Sequence, residues 1–173
     1  MKQEFTSKGT SIRQKTASKG FTVYQSKIGF IPGAMILDYG GGRYDDSVEY
    51  MKKYGCKVLV YDPYNRTDRH NTAVLSSMRV RKPDYIVCSN VLNVIKENDI
   101  IDAVVKRIYH IAVKGTICIF SMYEGNGTGV GKITGPDQYQ RNERTAAYLR
   151  FIKKYFGESR CFIKYGLILA YKM

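Results

Sequence analysis

Short apolar runs alternate along the chain with longer segments in which apolar residues recur every three or four positions. Runs of about five apolar residues are typical of buried strands, and the longer spacing is typical of helices with one buried side. The pattern predicts strands at 35–39, 57–61, 84–88, 116–120, 159–164 and 166–172, and helices between Asp46 and Gly55, at 97–113 and at 139–156.

Three segments fit neither pattern. Residues 21–31 form a short helix or a cover, residues 64–82 are polar and irregular with a possible strand only at 73–75, and residues 123–136 form a loop with five of the sixteen glycines. The alternation of strand and helix predicts an α/β fold, a three-layer sandwich around a mainly parallel sheet with a C-terminal antiparallel hairpin. The region of a third strand is shortened, because little chain remains for it between the second and third predicted strands.

The length of 173 residues suits one hydrophobic core. We expect a flexible basic N-terminal arm over residues 1–20 and a single domain over residues 21–173. No run approaches the roughly 18 apolar residues of a membrane span, and the N-terminus lacks the apolar region of a secretory signal. We therefore expect a cytoplasmic protein, of a bacterium or of a virus-infected cell.

The four cysteines are far apart in the sequence, and no pair has the spacing of metal ligands or of a redox motif. Small buried thiols in a reducing compartment are the simplest interpretation. Because the chain has only two histidines besides, we expect no metal site.

The strongest chemical signal is ILDYGGGRYDD at 36–46, followed by KVLVYDPYNR at 57–66. Glycines after a strand allow a sharp turn and a close approach of the backbone to a ligand at the carboxyl edge of the sheet. Asp38, before the turn, can orient the ammonium end of a zwitterionic ligand, and Asp62 can accept the ribose hydroxyls of an adenosine. The candidate cofactor-binding residues here are Asp38, Tyr39, Gly40, Gly41, Gly42, Asp62 and Pro63.

A nicotinamide dinucleotide is the rival cofactor for this pattern. Its fingerprint, G-x-G-x-x-G, would place a glycine where this chain has Asp45. Acidic residues at the start of a helix repel a pyrophosphate, which S-adenosylmethionine (SAM) does not carry. The pattern therefore favours SAM as the cofactor.

A third element is PDYIVCSNVLNVI at 83–95. Its strand would lie beside the first, so Ser89 and Asn90 would emerge over the cofactor. Asn93, slightly later, is either part of the site or only a cap of a helix or turn.

These segments resemble those of class I SAM-dependent methyltransferases, and more narrowly those of methyltransferases associated with bacterial DNA phosphorothioation systems. The quoted similarity includes DYGGGRYDD, YDPYNR, SNVLNVI and the later loop GNGTGVGKITGPDQYQRN, and it spans roughly residues 11–160. The resemblance implies that Asp38, Gly40 and Gly42 form the SAM turn, that Asp62 binds the ribose, and that Asn90 lies in the cofactor pocket.

The chain departs from that family's pattern in two places. Tyr44 stands where such turns often have a third glycine, and the shortened region after Asp62 removes the usual source of adenine contacts. Ser76, Ser77 and Met78 are candidate adenine contacts by position alone.

The acceptor is less well defined by the sequence. There is no Asn-Pro-Pro-Tyr segment of exocyclic-amine methyltransferases and no Pro-Cys nucleophile of C5-cytosine enzymes, and no catalytic residue stands out. Loop 123–140 is the candidate substrate lid because its glycines allow motion. Its candidate substrate-binding residues, with the first residue after it, are Lys132, Tyr139, Gln140 and Arg141.

Charge is concentrated at the two ends of the chain. The net charge is +13, of which residues 1–34, with six basic and one acidic residue, carry +5, and residues 138–173, with eight basic and two acidic, carry +6. Basic surfaces attract polyanions, so DNA or RNA is the first candidate partner, although such lysines can also serve only solubility. We expect a methyltransferase acting on a nucleic acid or nucleotide-like molecule; the alternatives are a non-catalytic binding protein of this fold and a small-molecule or protein methyltransferase.

Overall fold

The computed structural model describes residues 3–13 and 16–173, and its centre is a six-stranded sheet in the order β2-β1-β3-β4-β8-β7. The first four strands in chain order run parallel, and β8 pairs antiparallel with both β4 and β7. The sheet strands are β1 (Met35–Tyr39), β2 (Lys57–Tyr61), β3 (Tyr85–Ser89), β4 (Ile117–Ser121), β7 (Cys161–Lys164) and β8 (Leu167–Tyr171), and a separate hairpin consists of β5 (Lys132–Gly135) and β6 (Gln138–Gln140).

Helices cover both faces of the sheet. Strand side chains alternate between the faces, so that Ile36 belongs to one core cluster and Leu37 to the other. Helices α1 and α2 pack on the first face, and α3, α4 and α5 pack on the second. The helices are α1 (Lys19–Lys27), α2 (Asp46–Lys52), α3 (Asp68–Val80), α4 (Asn98–Ile111) and α5 (Leu149–Phe156).

The predicted fold class is confirmed, including the C-terminal antiparallel hairpin. The shortened region between β2 and β3 contains a helix and no strand. Parallel strands that are buried on both faces read as continuous apolar runs, which is why β1, β3 and β4 were visible in the sequence. The last turn has Tyr165 at φ 54° and Gly166 at φ 72°, the left-handed pair that a tight two-residue hairpin needs.

The prediction for residues 64–82 was wrong, because most of that segment is helix α3. Only three of its side chains are buried, Asn71, Val74 and Met78, so the apolar stripe is narrow. The side chain of Thr67 caps the helix by accepting a hydrogen bond from the backbone N–H of His70, at 3.2 Å. The sequence does carry a signal for this helix, namely the four-residue spacing of Val74 and Met78 after the capping sequence Thr67-Asp68.

The second correction concerns residues 123–148. The predicted loop contains β5, and the predicted helix at 139–156 begins as an α-helix only at Leu149, after a 3-10 turn at Thr145–Tyr148. Gln140 is in a strand and Arg141 follows it, and both are held by contacts to the segment after β3. These tertiary contacts override the helical spacing at the start of the segment.

The N-terminal segment crosses the carboxyl edge of the sheet in its described part. The backbone N–H groups of Thr6 and Ser7 donate to Asp137 in the β5–β6 turn, and Phe5 stacks on Tyr139 with ring centroids 5.7 Å apart. Helix α1 already begins at Lys19. Whether residues 1–20 form a flexible arm apart from a domain of residues 21–173 stays a prediction.

All four cysteines are buried free thiols. Within residues 3–13 and 16–173, no helix is long and apolar enough to cross a membrane.

Candidate functional site

One cavity of about 410 Å³ opens at the carboxyl edge of the sheet, where β1, β2 and β3 end. The residues predicted to bind a cofactor come from three separate segments of the sequence, and the structure brings all of them to its wall. They are Asp38, Tyr39, Gly40, Gly41, Gly42, Asp62, Pro63, Ser89 and Asn90.

The turn after β1, residues 40–44, is called the glycine turn below. Gly40 and Gly42 have φ of 79° and 77°, a conformation that side chains with a Cβ rarely adopt. A Cβ on Gly40 would collide with Val91, and one on Gly42 would collide with Ser11. The backbone N–H of Gly40 donates to the carbonyl of Tyr61 at 2.7 Å, which ties the turn to the end of β2. The glycines therefore allow both the turn and its close packing.

Asp38 lies beneath the glycine turn and is 4 % exposed. The hydroxyl of Ser47, in the first turn of α2, donates to Asp38 Oδ2 at 2.6 Å. Burial raises the pKa of the Asp38 carboxyl to about 7; the Ser47 hydrogen bond and Arg66 lower it, and the negative charge of Asp62 raises it. A cation placed in the cavity would therefore favour the ionised form of the Asp38 carboxyl.

Asp62, at the end of β2, is buried and strongly hydrogen-bonded. Its Oδ2 accepts from the backbone N–H of Gly42 at 2.9 Å, and its Oδ1 accepts from those of Tyr64 and Asn65 at 2.9 and 2.8 Å. The side-chain amide of Asn65 also donates to Oδ1. Since a carboxylate oxygen has two lone pairs, Oδ2 retains one for a ligand hydroxyl, while Oδ1 is fully used.

The third part of the wall is the end of β3. The hydroxyl of Ser121 donates to Ser89 Oγ at 2.8 Å, and the backbone N–H of Asn90 donates to the carbonyl of Ser121, also at 2.8 Å. Asn90 has φ 58°, an uncommon conformation for a residue with a side chain and one that recurs at functional sites. Helix α1 packs directly above, since a Cβ on Gly20 would collide with Ser89.

Two groups of lining residues were missed by the sequence interpretation. An apolar wall extends from the segment after β3 to one side of α4, and a polar roof comes from the N-terminal segment up to Ser18, the residue before α1. The apolar wall comprises Val91, Val94, Ile95, Ile100, Ala103 and Val104, and the roof includes Thr6, Ser7, Thr10, Ser11, Thr16 and Ser18. The helical spacing of the α4 residues was visible, but no sequence signal indicated that this side faces a cavity.

Asn93, whose role the sequence left open, does not line the cavity. It is 2 % exposed, and its side-chain amide donates to Gln140 Oε1 at 3.1 Å.

The four predicted substrate-binding residues lie outside this cavity. Lys132 is exposed on β5, and Tyr139 is stacked on Phe5. Gln140 donates to the carbonyl of Tyr123. The guanidinium of Arg141 donates to the carbonyls of Ile95 and Lys96, to the side chain of Asn98 and to Glu143. The last two predicted residues therefore hold the hairpin onto the body of the protein.

The candidate adenine contacts Ser76, Ser77 and Met78 also lie outside the cavity, on α3. Met78 is buried in the core cluster beneath the sheet. The apolar wall of α4 and the residues Pro63 and Tyr64 offer flat apolar surface for a ring instead.

The chemistry of the wall distinguishes between cofactors. Among the described lining residues, the acidic ones are Asp38, Asp46 and Asp62, and the one basic residue is Arg107. A pyrophosphate would face all three carboxylates, including that of Asp46 at the start of α2, whereas a ligand with cationic groups and ribose hydroxyls is complemented by them. The residues present therefore fit SAM and do not fit a dinucleotide.

Comparison with known proteins agrees with this geometry. A family model described as a methyltransferase domain matches residues 14–159. No curated protein sequence matches the chain significantly.

Solved structures with the same fold include three methyltransferases. The Burkholderia thailandensis 1,6-didemethyltoxoflavin-N1-methyltransferase, with S-adenosylhomocysteine bound, has a TM-score of 0.62 and 15% identity, covering 89% of this chain and 76% of that one. Human N-acetylserotonin methyltransferase with SAM has a TM-score of 0.53 and 18% identity over 80% of this chain and 47% of its own. Haemonchus contortus phosphoethanolamine N-methyltransferase 2 with SAM has a TM-score of 0.51 and 17% identity, covering 79% of this chain and 36% of that one. The chain thus spans about half or less of the last two proteins, and these identities show the fold alone.

Proposed function

Because the chain belongs to the methyltransferase-domain family, we propose that it binds SAM in the cavity and transfers the methyl group to a nucleic acid or nucleotide-like acceptor. SAM supplies an activated methyl group on a sulfonium, so the protein's main task is to hold donor and acceptor in line. The acidic cavity wall beside the glycine turn is the observation that carries the cofactor assignment. The solved methyltransferases with SAM or S-adenosylhomocysteine bound support it.

Exposed aromatic and basic side chains around the segment just beyond β4 support the nucleotide-like acceptor. Tyr123, just beyond β4, is 63% exposed, so its ring is available for stacking. Lys19 follows the cavity residue Ser18, and Arg144 is exposed nearby. Both cations act on Glu124, whose pKa is lowered first by hydrogen bonds from Thr145 and then by these charges. An anionic, planar acceptor matches this combination of groups.

Titration calorimetry with SAM and S-adenosylhomocysteine tests the cofactor site. We expect micromolar binding by the natural protein and a loss of about 100-fold or more in Asp62→Asn, because the ribose acceptor and a backbone-binding carboxylate are both altered. Asp68→Asn, an exposed acid six residues later, is the matched control and should bind normally. Absence of binding at millimolar SAM would reject the proposed function.

Transfer of a labelled methyl group tests the acceptor. RNA, single-stranded DNA, duplex DNA and mononucleotides are incubated with the protein and labelled SAM, beside a set of small amines and phenols. Labelling of any nucleotide class supports the proposal. Lys19→Ala together with Arg144→Ala should reduce the labelling more at low salt than at high salt, because salt screens the charges that these variants lack. Labelling only of small non-nucleotide molecules would support the second candidate function, a small-molecule methyltransferase. The solved methyltransferases named for 1,6-didemethyltoxoflavin and phosphoethanolamine favour this alternative. SAM binding without any labelling, combined with salt-sensitive nucleic-acid binding, would indicate a non-catalytic protein.

The nucleic-acid partner and the narrower relation to phosphorothioation-associated methyltransferases belong to the same proposal. The basic ends of the chain support the partner through net charges of +5 and +6.

A further inference from the structure

Arg66 lies outside the cavity, yet it is bonded to the glycine turn that forms part of the cavity wall. Its Nε donates to the carbonyl of Gly42 at 2.7 Å, and its Nη2 donates to the carbonyl of Tyr44 and to Asp45 Oδ1, both at 2.8 Å. The side chain is only 14% exposed, so these bonds are shielded from water. One guanidinium thus joins the second half of the turn to the residue before α2.

Gly42 is held at both of its polar groups. Its N–H donates to Asp62 and its carbonyl accepts from Arg66, and both partners lie in the short segment after β2. These two hydrogen bonds fix the conformation of a glycine at φ 77°, a residue type that otherwise has more backbone freedom than any other. Arg66 also fixes the carbonyl of Tyr44, the residue that replaces a third glycine and still lines the cavity.

The start of α3 determines where Arg66 lies. Thr67, the next residue, caps that helix, and the carbonyl of Arg66 accepts from the side chain of Asn71 at 3.4 Å. The helix that the sequence pattern did not reveal therefore presents the residue that grips the glycine turn.

We infer that Arg66 is a positioning residue for the cofactor site, acting through the glycine turn and not by direct contact with the cofactor. The inference rests on the proposed function, because the cofactor named is SAM. Arg66 also places a positive charge near Asp38, which is faced by Ser47 from α2, by Asp62 just after β2 and by Cys88 from β3. Geometry and charge are therefore two separable contributions of one side chain.

Two substitutions separate the contribution of the hydrogen-bond geometry of Arg66 from that of its charge. Arg66→Lys keeps the charge, but a single ammonium on a flexible stem cannot reproduce the planar fork. Arg66→Gln loses both the fork and the charge. Arg69→Gln, an exposed arginine on the first turn of α3, is the matched control for loss of charge.

Calorimetry with SAM across pH 5.5–8.5 is the main experiment. We expect about 10-fold weaker binding in both Arg66 variants, and an upward shift of the pH midpoint of binding only in Arg66→Gln, because the cation no longer favours ionised Asp38. Arg69→Gln should match the natural protein in both respects. Natural affinity in Arg66→Gln, or an unchanged midpoint in that variant, would overturn the inference.

Hydrogen exchange of the ligand-free protein tests, without SAM, whether the hydrogen bonds of Arg66 stabilise the glycine turn. The amides of residues 41–44 should exchange at least 10-fold faster in both Arg66 variants and at the natural rate in Arg69→Gln. If the natural protein fails to bind SAM but these amides respond, the proposed function fails while the grip on the turn stands. If the amides do not respond, the inference fails whatever SAM does.

Discussion

Two glycine-rich loops follow strands of the same sheet, and they differ in what surrounds their glycines. Gly42 in the glycine turn and Gly129 in the loop after β4 have the same φ of 77°. A Cβ on Gly42 would collide with Ser11, whereas no heavy atom lies within 4 Å of the Cβ position on Gly129. The positive φ of each glycine therefore indicates a turn in both places. The two turns differ in their packing, since the glycine turn is in close contact with neighbouring side chains and the loop after β4 has open space around Gly129.

The largest expected effect separates these loops by one pair of substitutions. Gly40→Ala should weaken SAM binding by about 100-fold or more, because the new Cβ collides with Val91 and displaces the turn from its place in the cavity wall. Gly129→Ala incurs a similar left-handed backbone cost, about 1–2 kcal/mol, without a collision. Calorimetry with SAM measures both, after thermal melts confirm that each variant is folded. Equal losses of affinity would show that backbone strain alone, and not packing, decides the difference.

The same contrast explains what the sequence revealed. Asp38, Gly40 and Asp62 were predicted as site residues because a strand end, a tight turn and a second strand end each leave a local pattern. All the predicted cofactor residues line the cavity. The roles of Gln140 and Arg141 depend on contacts with residues after β3, more than forty positions away, and no local pattern records such contacts.

Helix α3 and the apolar wall were missed for a related reason. Burial of α3 rests on Asn71, Val74 and Met78, too few apolar side chains for a clear helical stripe. The apolar side of α4 was predicted, but Ile100 and Val104 line a cavity instead of packing fully into the core, a distinction that periodicity does not make.

The next effect concerns stability on the side of the second loop. Arg141→Ala should lower the free energy of unfolding by about 3 kcal/mol, because the carbonyls of Ile95 and Lys96 and the carboxylate of Glu143 lose a buried partner. SAM affinity should change by less than about threefold, since Arg141 does not line the cavity and its one bond to a wall residue is to the backbone carbonyl of Ile95, not to the glycine turn. Urea unfolding and calorimetry measure the two quantities. A large loss of SAM affinity with little loss of stability would place Arg141 functionally with the glycine turn and remove the contrast.

A pH experiment sharpens the comparison from the glycine-turn side. The pKa of Asp38 is raised from 3.8 to about 7 by burial, so between these pH values the folded protein holds a proton that the unfolded chain has lost. The contribution of Asp38 to stability is therefore largest below pH 4 and decreases as the pH rises to about 7, by at most about 1.4 kcal/mol per pH unit.

Asp38→Asn should abolish that decrease, because the amide does not ionise, and should stabilise the ligand-free protein above pH 7. SAM affinity in the natural protein should change in the opposite direction and increase with pH, since its ammonium favours ionised Asp38; Asp38→Asn should lose this increase. Urea unfolding at pH 5, 6, 7 and 8, with calorimetry at the same values, gives both curves. Parallel curves for stability and affinity would contradict the assigned role of Asp38.

The smallest effect is expected at Lys132, on the exposed strand β5. If the hairpin guides a polyanionic acceptor, Lys132→Ala should raise KM for an oligonucleotide by about threefold. It should also reduce the slope of log affinity against log salt concentration by about 1, the value for one lost phosphate contact. Melting temperature and SAM affinity should stay unchanged, because the side chain is exposed and outside the cavity. Lys52→Ala, at the end of α2, is the control of equal charge. If neither the salt slope nor KM changes, the hairpin has only a structural role, as Arg141 does. Acceptor recognition would then rest on residues such as Lys19, which follows the cavity residue Ser18, and Tyr123, just beyond β4.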